Sequence, residues 1–367
     1  MTMESKLRIA VDNCRPFDNN RLREIESQIK RVVKIIMKII VDAMGGDNAP
    51  GEIVKGALAA MNEYDADILL VGDRKRIEEI AGKNLGSRVY HTEKILTMED
   101  EPGSVLHEKS DTSMGIALKL LKENRGSAFV SSGNTGALCV GSTSIIECVP
   151  GIKRPALGAL IPFVNKTLLI DAGANLEVRP EHFKQFAIMG SIYMNKFMGR
   201  ENPTVGLANI GREKNKGTSL LTETYKLLSE SKMINFVGNI EGSEMPTQCS
   251  DVLLADGFVG NIILKLTEGF GGFLKHILKG ISQKNILPNM TALAEGDSFP
   301  KMYSLFDPEY DAAPFFGLKY PVIKAHGNAN AKNIKNAVRQ AIFLLESDFT
   351  GEIERQLQEK SGIGNTM

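Results

Sequence analysis

An α/β protein with a mostly parallel sheet is the fold class this chain predicts, and two features of its hydrophobic rhythm predict it. Short aliphatic or β-branched runs recur: KIIV at Lys38, DILLV at Asp67, AFVS at Ala128, TLLID at Thr167, TVGLA at Thr204, INFVG at Ile234, DVLLA at Asp251 and PVIKA at Pro321. Longer stretches with apolar residues at helical spacing alternate with them, at 50–62, 113–123, 180–198, 218–229 and 331–347. A helix between successive strands carries the chain back across the sheet, so the strands run parallel and helices cover both faces.

The helices carry their own start signals. Pro50 suits a first turn, with Glu52 just behind it, and Pro180 opens the longest of the five; the missing N–H of proline costs nothing there, and an acidic side chain favours the positive end of a helix. Thr218 or Ser219 caps the helix that follows the charged stretch NIGREKNKG, because a hydroxyl can accept one of the unpaired first-turn N–H groups. Residues 1–36 stand outside the alternation as an N-terminal extension, in which Leu22, Ile25, Ile29 and Val32 recur at helical spacing. The regular domain runs over 37–348, and 349–367 reads as a polar, glycine-punctuated tail that frays.

Composition narrows the function. The 44 Lys and Arg balance the 44 Asp and Glu, so no general basic field recommends nucleic acid as a partner. Cys14, Cys139, Cys148 and Cys249 form no CxxC pair, and His91, His107, His182, His276 and His326 show no ligand spacing; neither a metal site nor a disulfide framework is expected, and a reducing cytoplasm is the expected home. The longest apolar candidate, near 32–41, is interrupted by Lys34 and Lys38, well short of the roughly 20 residues a membrane span needs.

The polar residues collect after the strands. VDAMGGDNAP, SSGNTGA, IDAGANLE, LANIGREKNKG, VGNIEGSE, ADGFVGN and AHGNANA each follow an apolar run. In a parallel sheet such turns share one edge, where ligands bind and helix N-termini offer unpaired N–H groups to an anion. Ordinary tight turns use the same Gly, Asn and Asp, so for Asp42, Asp171 and Asp256 turn or helix capping is at least as good a reading as chemistry. Hydrolase elbows, zinc-protease motifs and a GxGxxG after the first strand are absent. GREKNKGTS is not a P-loop, since five residues separate its glycines and Lys216 precedes Gly217. Cys139 reads as a buried helix thiol, Glu181-His182 as a capping pair, and His326 as a candidate to line the site. Spacing alone does not choose among Arg212, Lys214 and Lys216.

Taken in order, MKIIVDAMGGDNAP, SSGNTGAL, DAGANLEVRPEH, VGLANIGREKNKG, INFVGNIEG, DVLLADGFVGNIILKLTEG and VIKAHGNANAKNIKNA resemble the bacterial acyl-acyl carrier protein:phosphate acyltransferase family, PlsX, from Met37 to about Leu345. Its usual SAGNTGA and HGSS read SSGNTGA and HGNA here. The resemblance implies a Rossmann-like αβα sandwich related to the isocitrate/isopropylmalate dehydrogenase-like fold, in a homodimer. It implies transfer of a long fatty acyl group from acyl carrier protein to inorganic phosphate, without a cofactor. The acyl phosphate then feeds a downstream glycerol-3-phosphate acyltransferase and phospholipid synthesis. Family members are cytoplasmic, some of them peripheral at the inner face of the membrane. A phosphate acetyl- or butyryltransferase using acyl-CoA is the alternative.

Phosphate is already a nucleophile, so thioester phosphorolysis needs no acyl-enzyme, only a held anion and donors to the oxyanion. Lys216 and Asn261 match the family's catalytic positions: Lys216 to hold phosphate, Asn261 to donate to the oxyanion. Asn134, Thr135 and Gly136 are the expected phosphate cradle, and Asp47, Asn48, Asn175 and His326 further binding candidates. Arg212 and Lys214, with Lys153 and Arg154, are candidates to steer the acidic carrier protein. Phe270, Phe273, Leu274, Ile277, Leu278 and Ile281 form an apolar stripe read as core or dimer interface, or as a membrane contact.

Overall fold

The computed structural model describes residues 37–163, 166–283 and 312–360. The N-terminal extension, with its expected helix, lies outside them. The first half runs β1 (Lys38–Asp42), α1 (Gly51–Tyr64), β2 (Asp67–Gly72), α2 (Arg74–Ala81), β3 (Val89–His91), α3 (Ser113–Lys122), β4 (Ala128–Ser131), α4 (Thr135–Gly141) and β5 (Ala156–Ile161). The second runs β6 (Thr167–Ile170), α5 (Pro180–Met198), β7 (Thr204–Asn209), α6 (Ser219–Ser229), β8 (Asn235–Glu241), α7 (Met245–Gln248), β9 (Val252–Leu254) and α8 (Gly257–Gln283), then β10 (Ala313–Phe316), β11 (Val322–Lys324), α9 (Ala331–Glu346) and α10 (Phe349–Lys360).

All eight expected runs are strands; β3, β5 and β10 are additions. The strands form one sheet in the order β3-β2-β1-β4-β11-β10-β5-β6-β9-β7-β8. The pairings on the β3 to β11 side are parallel, as are those from β6 to β8. Between the two blocks, β10 is antiparallel to β11 and to β5, and β5 is antiparallel to β6. Three reversals are an odd number, so the second block runs opposite to the first. This corrects the expectation of a single ligand edge: the turns after β1, β4 and β11 lie at one edge, those after β6, β9 and β7 at the other.

Both sheet faces are covered, as alternation along the strands requires. Ile39, Val41, Leu168 and Ile170 face a core closed by Phe183, Phe186 and Tyr193 of α5 and Val338 of α9. Ile40 and Leu169 face the opposite core, with Met114, Leu118 and Leu121 of α3 and Leu138 of α4. The described part of the expected tail, 349–360, does not fray, and 361–367 lie outside the described residues. Residues 349–360 form α10, whose Phe349 and Ile353 are buried; the Phe349 ring lies 5.1 Å from that of Phe316. The polar residues that suggested a tail occupy the outer face of an amphipathic helix.

Helix α8 carries the near part of the apolar stripe. Phe270 and Phe273 are each 57% exposed, as are Leu266 (70%) and Ile262 (51%), so these positions are not core of this chain. The side chains of Ile277, Leu278 and Ile281 lie outside the described residues. None of the described helices is long and apolar enough to cross a membrane.

Candidate active site

At the first edge, the buried carboxylate of Asp42 accepts from Met44 N–H (3.2 Å) and the Ser131 hydroxyl (2.8 Å). The Ser132 hydroxyl donates to Gly45 O (2.6 Å). Gly46 must be glycine: its φ is +98° and a Cβ would stand 2.6 Å from Ser132 Oγ. The first loop is tied to the last, since Asp47 N–H donates to Gly327 O (2.7 Å) and Asn48 Nδ2 donates to the carbonyls of Asn328 (2.9 Å) and Ala329 (3.2 Å). Glu52 accepts from Ala331 N–H (3.0 Å) at the start of α9.

In the expected cradle, Asn134 is buried and its side chain is occupied. Its Nδ2 donates to the carbonyls of Thr97, Met98 and Asp100, and its Oδ1 accepts from Ala137 N–H, capping α4. That leaves the half-buried Thr135 and Gly136 as the part of the turn open to a ligand.

One residue of this edge went unremarked in the sequence. Lys324, ending β11, is only 8% exposed. Its Nζ donates to Ser132 O (3.3 Å) and to Ala325 O. Burial pushes its ammonium down to about 8, against the attraction of Asp47 and Asp42 and with the repulsion of Lys265. The available signal was a charged residue inside the apolar run PVIKA.

At the second edge, Asp171 is fully buried. Its carboxylate accepts from the N–H groups of Leu157, Gly173, Ala174 and Asn175 and from Asn175 Nδ2. Burial raises its carboxyl pKa, and these donors act in the opposite direction. Asn175 also donates to Pro155 O (2.7 Å), so it braces the turn rather than facing a ligand. Gly260 brings α8 against this turn, where a Cβ would fall 1.9 Å from Asp171 O. One residue on, Asn261 is half-buried with its side chain against Gly173. Asp256 accepts from Val259 N–H (2.8 Å) and caps α8. All three strand-end aspartates therefore organise turns or caps.

The loop 210–217 is fixed by its backbone. Asn209 Nδ2 donates to Lys216 O (3.1 Å), while Lys216 N–H (3.1 Å) and Asn239 Nδ2 (2.9 Å) both donate to Glu213 O. Sequence reading missed these two asparagine braces, though Asn209 and Asn239 sit in the quoted turns. The Lys216 side chain is exposed, with no ion-pair partner among the described residues. Arg212 is paired with Glu244, and Lys214, Lys153 and Arg154 are exposed.

Two contacts join the edges. Cys139 Sγ, one turn into α4, lies 3.7 Å from Ala174 O. His326 Nε2 lies 3.3 Å from Glu268 Oε1 of α8. The helix segment between Asn261 and Glu268 spans about 10 Å, so α8 runs from one set of turns to the other. Burial pushes the Cys139 thiol up to about 11, which leaves it protonated and inert as a nucleophile. His182 accepts from Arg179 N–H (3.1 Å) and caps α5. Among the described residues no cluster of His, Cys, Asp or Glu could hold a metal ion.

The fold resembles that of solved phosphotransacetylases. It is similar to a phosphotransacetylase from Streptococcus pyogenes (TM-score 0.55, 13% identity, 88% of this chain and 98% of that one). It is also similar to the EutD phosphotransacetylase from Staphylococcus aureus (TM-score 0.51, 14% identity, 88% and 98%). At such identity the likeness is one of fold. Sequence is more specific: the family described as fatty acid synthesis protein matches residues 37–352, and the chain belongs to it. Relatives named phosphate acyltransferase include that of Thermotoga maritima, 44% identical over 332 residues (90% of this chain, 99% of the relative). That of Acetivibrio thermocellus is 43% identical over 327 residues (87% and 96%).

Proposed function

We propose that this protein transfers a long-chain acyl group from the thioester of acyl carrier protein to inorganic phosphate, giving an acyl phosphate for phospholipid synthesis. Acyl transfer to phosphate is the activity its family membership supports; the carrier and the chain length are the finer part of the proposal. The observation that carries it is Lys216, an exposed ammonium on a backbone braced by Asn209 and by the Glu213 carbonyl. A cation fixed at its root and free at its tip suits a dianion that must approach a carbonyl.

Phosphate lies between the two edges, against Thr135 and Gly136, with Lys216 neutralising part of its charge. A phosphate oxygen attacks the thioester carbon, the C–O bond forms, and charge collects on the carbonyl oxygen. The Asn261 amide donates to that oxyanion. As the intermediate collapses the C–S bond breaks, and the thiolate leaves with the bonding electrons and takes a proton from water. A cofactor has no role in these steps. The exposed apolar face of α8 supports a homodimer, and a peripheral contact with the inner membrane face is a further reading of the same stripe.

Purified protein incubated with phosphate and a long-chain acyl carrier protein forms acyl phosphate and free thiol in equal amounts. Turnover with acetyl-CoA but none with the carrier protein would overturn the choice of donor.

A further inference from the structure

We propose that Lys324 is a positioning residue for phosphate: its buried ammonium fixes the Ser132 carbonyl, and with it the 133–136 turn, and places positive charge beneath that turn. The inference rests on the reading that phosphate sits against this turn.

Lysine is rarely buried without a paired acid, because desolvating an ammonium is costly unless an opposite charge offsets it. No carboxylate of the described residues comes within 4.0 Å of Lys324, and the attraction of Asp47 and Asp42 acts from farther away. Asp42 is engaged by Met44 and Ser131, Asp47 is exposed, and Lys265 of α8 adds repulsion. These are the charged groups that face it from the first loop and from α8. An ammonium has three donors; two reach the carbonyls of Ser132 and Ala325. Ser132 is the residue whose hydroxyl ties this turn to Gly45. A costly cation therefore sits at the junction of the three loops that make the first edge. A bound anion at the turn would add counter-charge to that of the more distant Asp42 and Asp47.

Burial holds the ammonium near 8, so it is charged below that pH and neutral above it. Phosphate, already a dianion there, then loses its attraction to the turn as pH rises. The wild-type KM for phosphate is expected to rise about tenfold between pH 7.5 and 9.5, with kcat changing much less. In Lys324→Met the KM at pH 7.5 rises about tenfold and is flat with pH, while melting temperature is unchanged or higher because a buried charge has been removed. Lys324→Arg recovers part of the affinity and none of the pH step near 8, since a guanidinium stays charged.

A wild-type KM that is flat across this range overturns the inference, as does a Lys324→Met enzyme with wild-type KM and profile. If Lys324→Met does not fold, the wild-type profile decides. If the wild type forms no acyl phosphate, it is the functional reading that fails. The stabilisation of wild type by inorganic phosphate, read as a melting shift, then tests Lys324 alone: a shift at pH 7.5 that is lost at 9.5 supports it, and equal shifts overturn it.

Discussion

The two edges of the sheet begin alike and end differently. Each is organised by a buried aspartate at a strand end, Asp42 ending β1 and Asp171 just after β6, whose carboxylate accepts backbone N–H from the glycine turn that follows. Beyond that the first edge closes on itself: Asn48 and Asp47 bind the last loop, and the cation, Lys324, is inside. The second edge stays open, with Lys216 exposed on a braced backbone and Asn261 half-buried against Gly173. A buried cation is a fixed part of a binding surface. An exposed one can follow a group whose charge moves during reaction.

The comparison breaks most easily at Lys216. Lys216→Ala is expected to lower kcat/KM about a thousandfold, on the order of 4 kcal/mol of transition-state stabilisation. Its melting temperature should be that of the wild type, because the side chain is exposed. A loss of only a few-fold would make Lys216 a rim charge and leave the open edge without its cation. Asn261→Ala comes next: a typical oxyanion donor contributes about 3 kcal/mol, so turnover falls roughly a hundredfold with phosphate KM little changed. An unchanged rate removes the amide from the mechanism.

How much of this was legible in the sequence follows from what each element depends on. Eight strands and five helices announced themselves through apolar period, and the cap at Thr218 through residue type. The strands that escaped have weak local signals. β5 reads ALGALI, poor in β-branched residues; β10 reads APFF, with a proline; β3 is the three residues VYH. Two of these three turn the sheet around, so missing them made two opposed blocks look like one. Site residues were legible as residue types in turns, while their roles were not. Asn134 and Asn175 look like ligands in SSGNTGA and IDAGANLE, yet both are occupied by backbone partners that only tertiary contacts supply. Lys324 was hidden for the opposite reason, because a lysine within an apolar strand reveals its burial only when its neighbours are in place.

The brace on Lys216 sharpens the contrast at smaller cost. Asn239→Ala deletes one hydrogen bond to Glu213 O, worth about 1 kcal/mol in net terms. If the tip of this loop holds phosphate as proposed, the lost positioning amplifies that loss, and turnover is expected to fall about tenfold. The variant differs from a general fold defect in one readout. Asn239→Ala combined with Lys216→Ala should be no slower than Lys216→Ala alone, because the brace acts only through that lysine. Additive losses would detach Asn239 from the site.

The smallest effects belong to the rim of the open edge, proposed above to meet the acyl donor. Arg212 is already paired with Glu244, whereas Lys214 is exposed with no ion-pair partner among the described residues. If both lay free, they would steer an acidic carrier protein equally; the pairing makes Lys214 the better attractor. Lys214→Ala is therefore expected to lower kcat/KM for acyl carrier protein about threefold at low salt, and Arg212→Ala about half as much, through association rather than chemistry. Both losses vanish at about 0.5 M salt, where screening confines such attraction to a few ångströms. Phosphate KM is expected to stay constant in both, because neither residue belongs to the proposed phosphate site. A salt-independent loss, or one larger in Arg212→Ala, would mean that the Arg212–Glu244 pair holds the 210–217 loop in shape, which joins the rim to the brace instead of to the carrier protein.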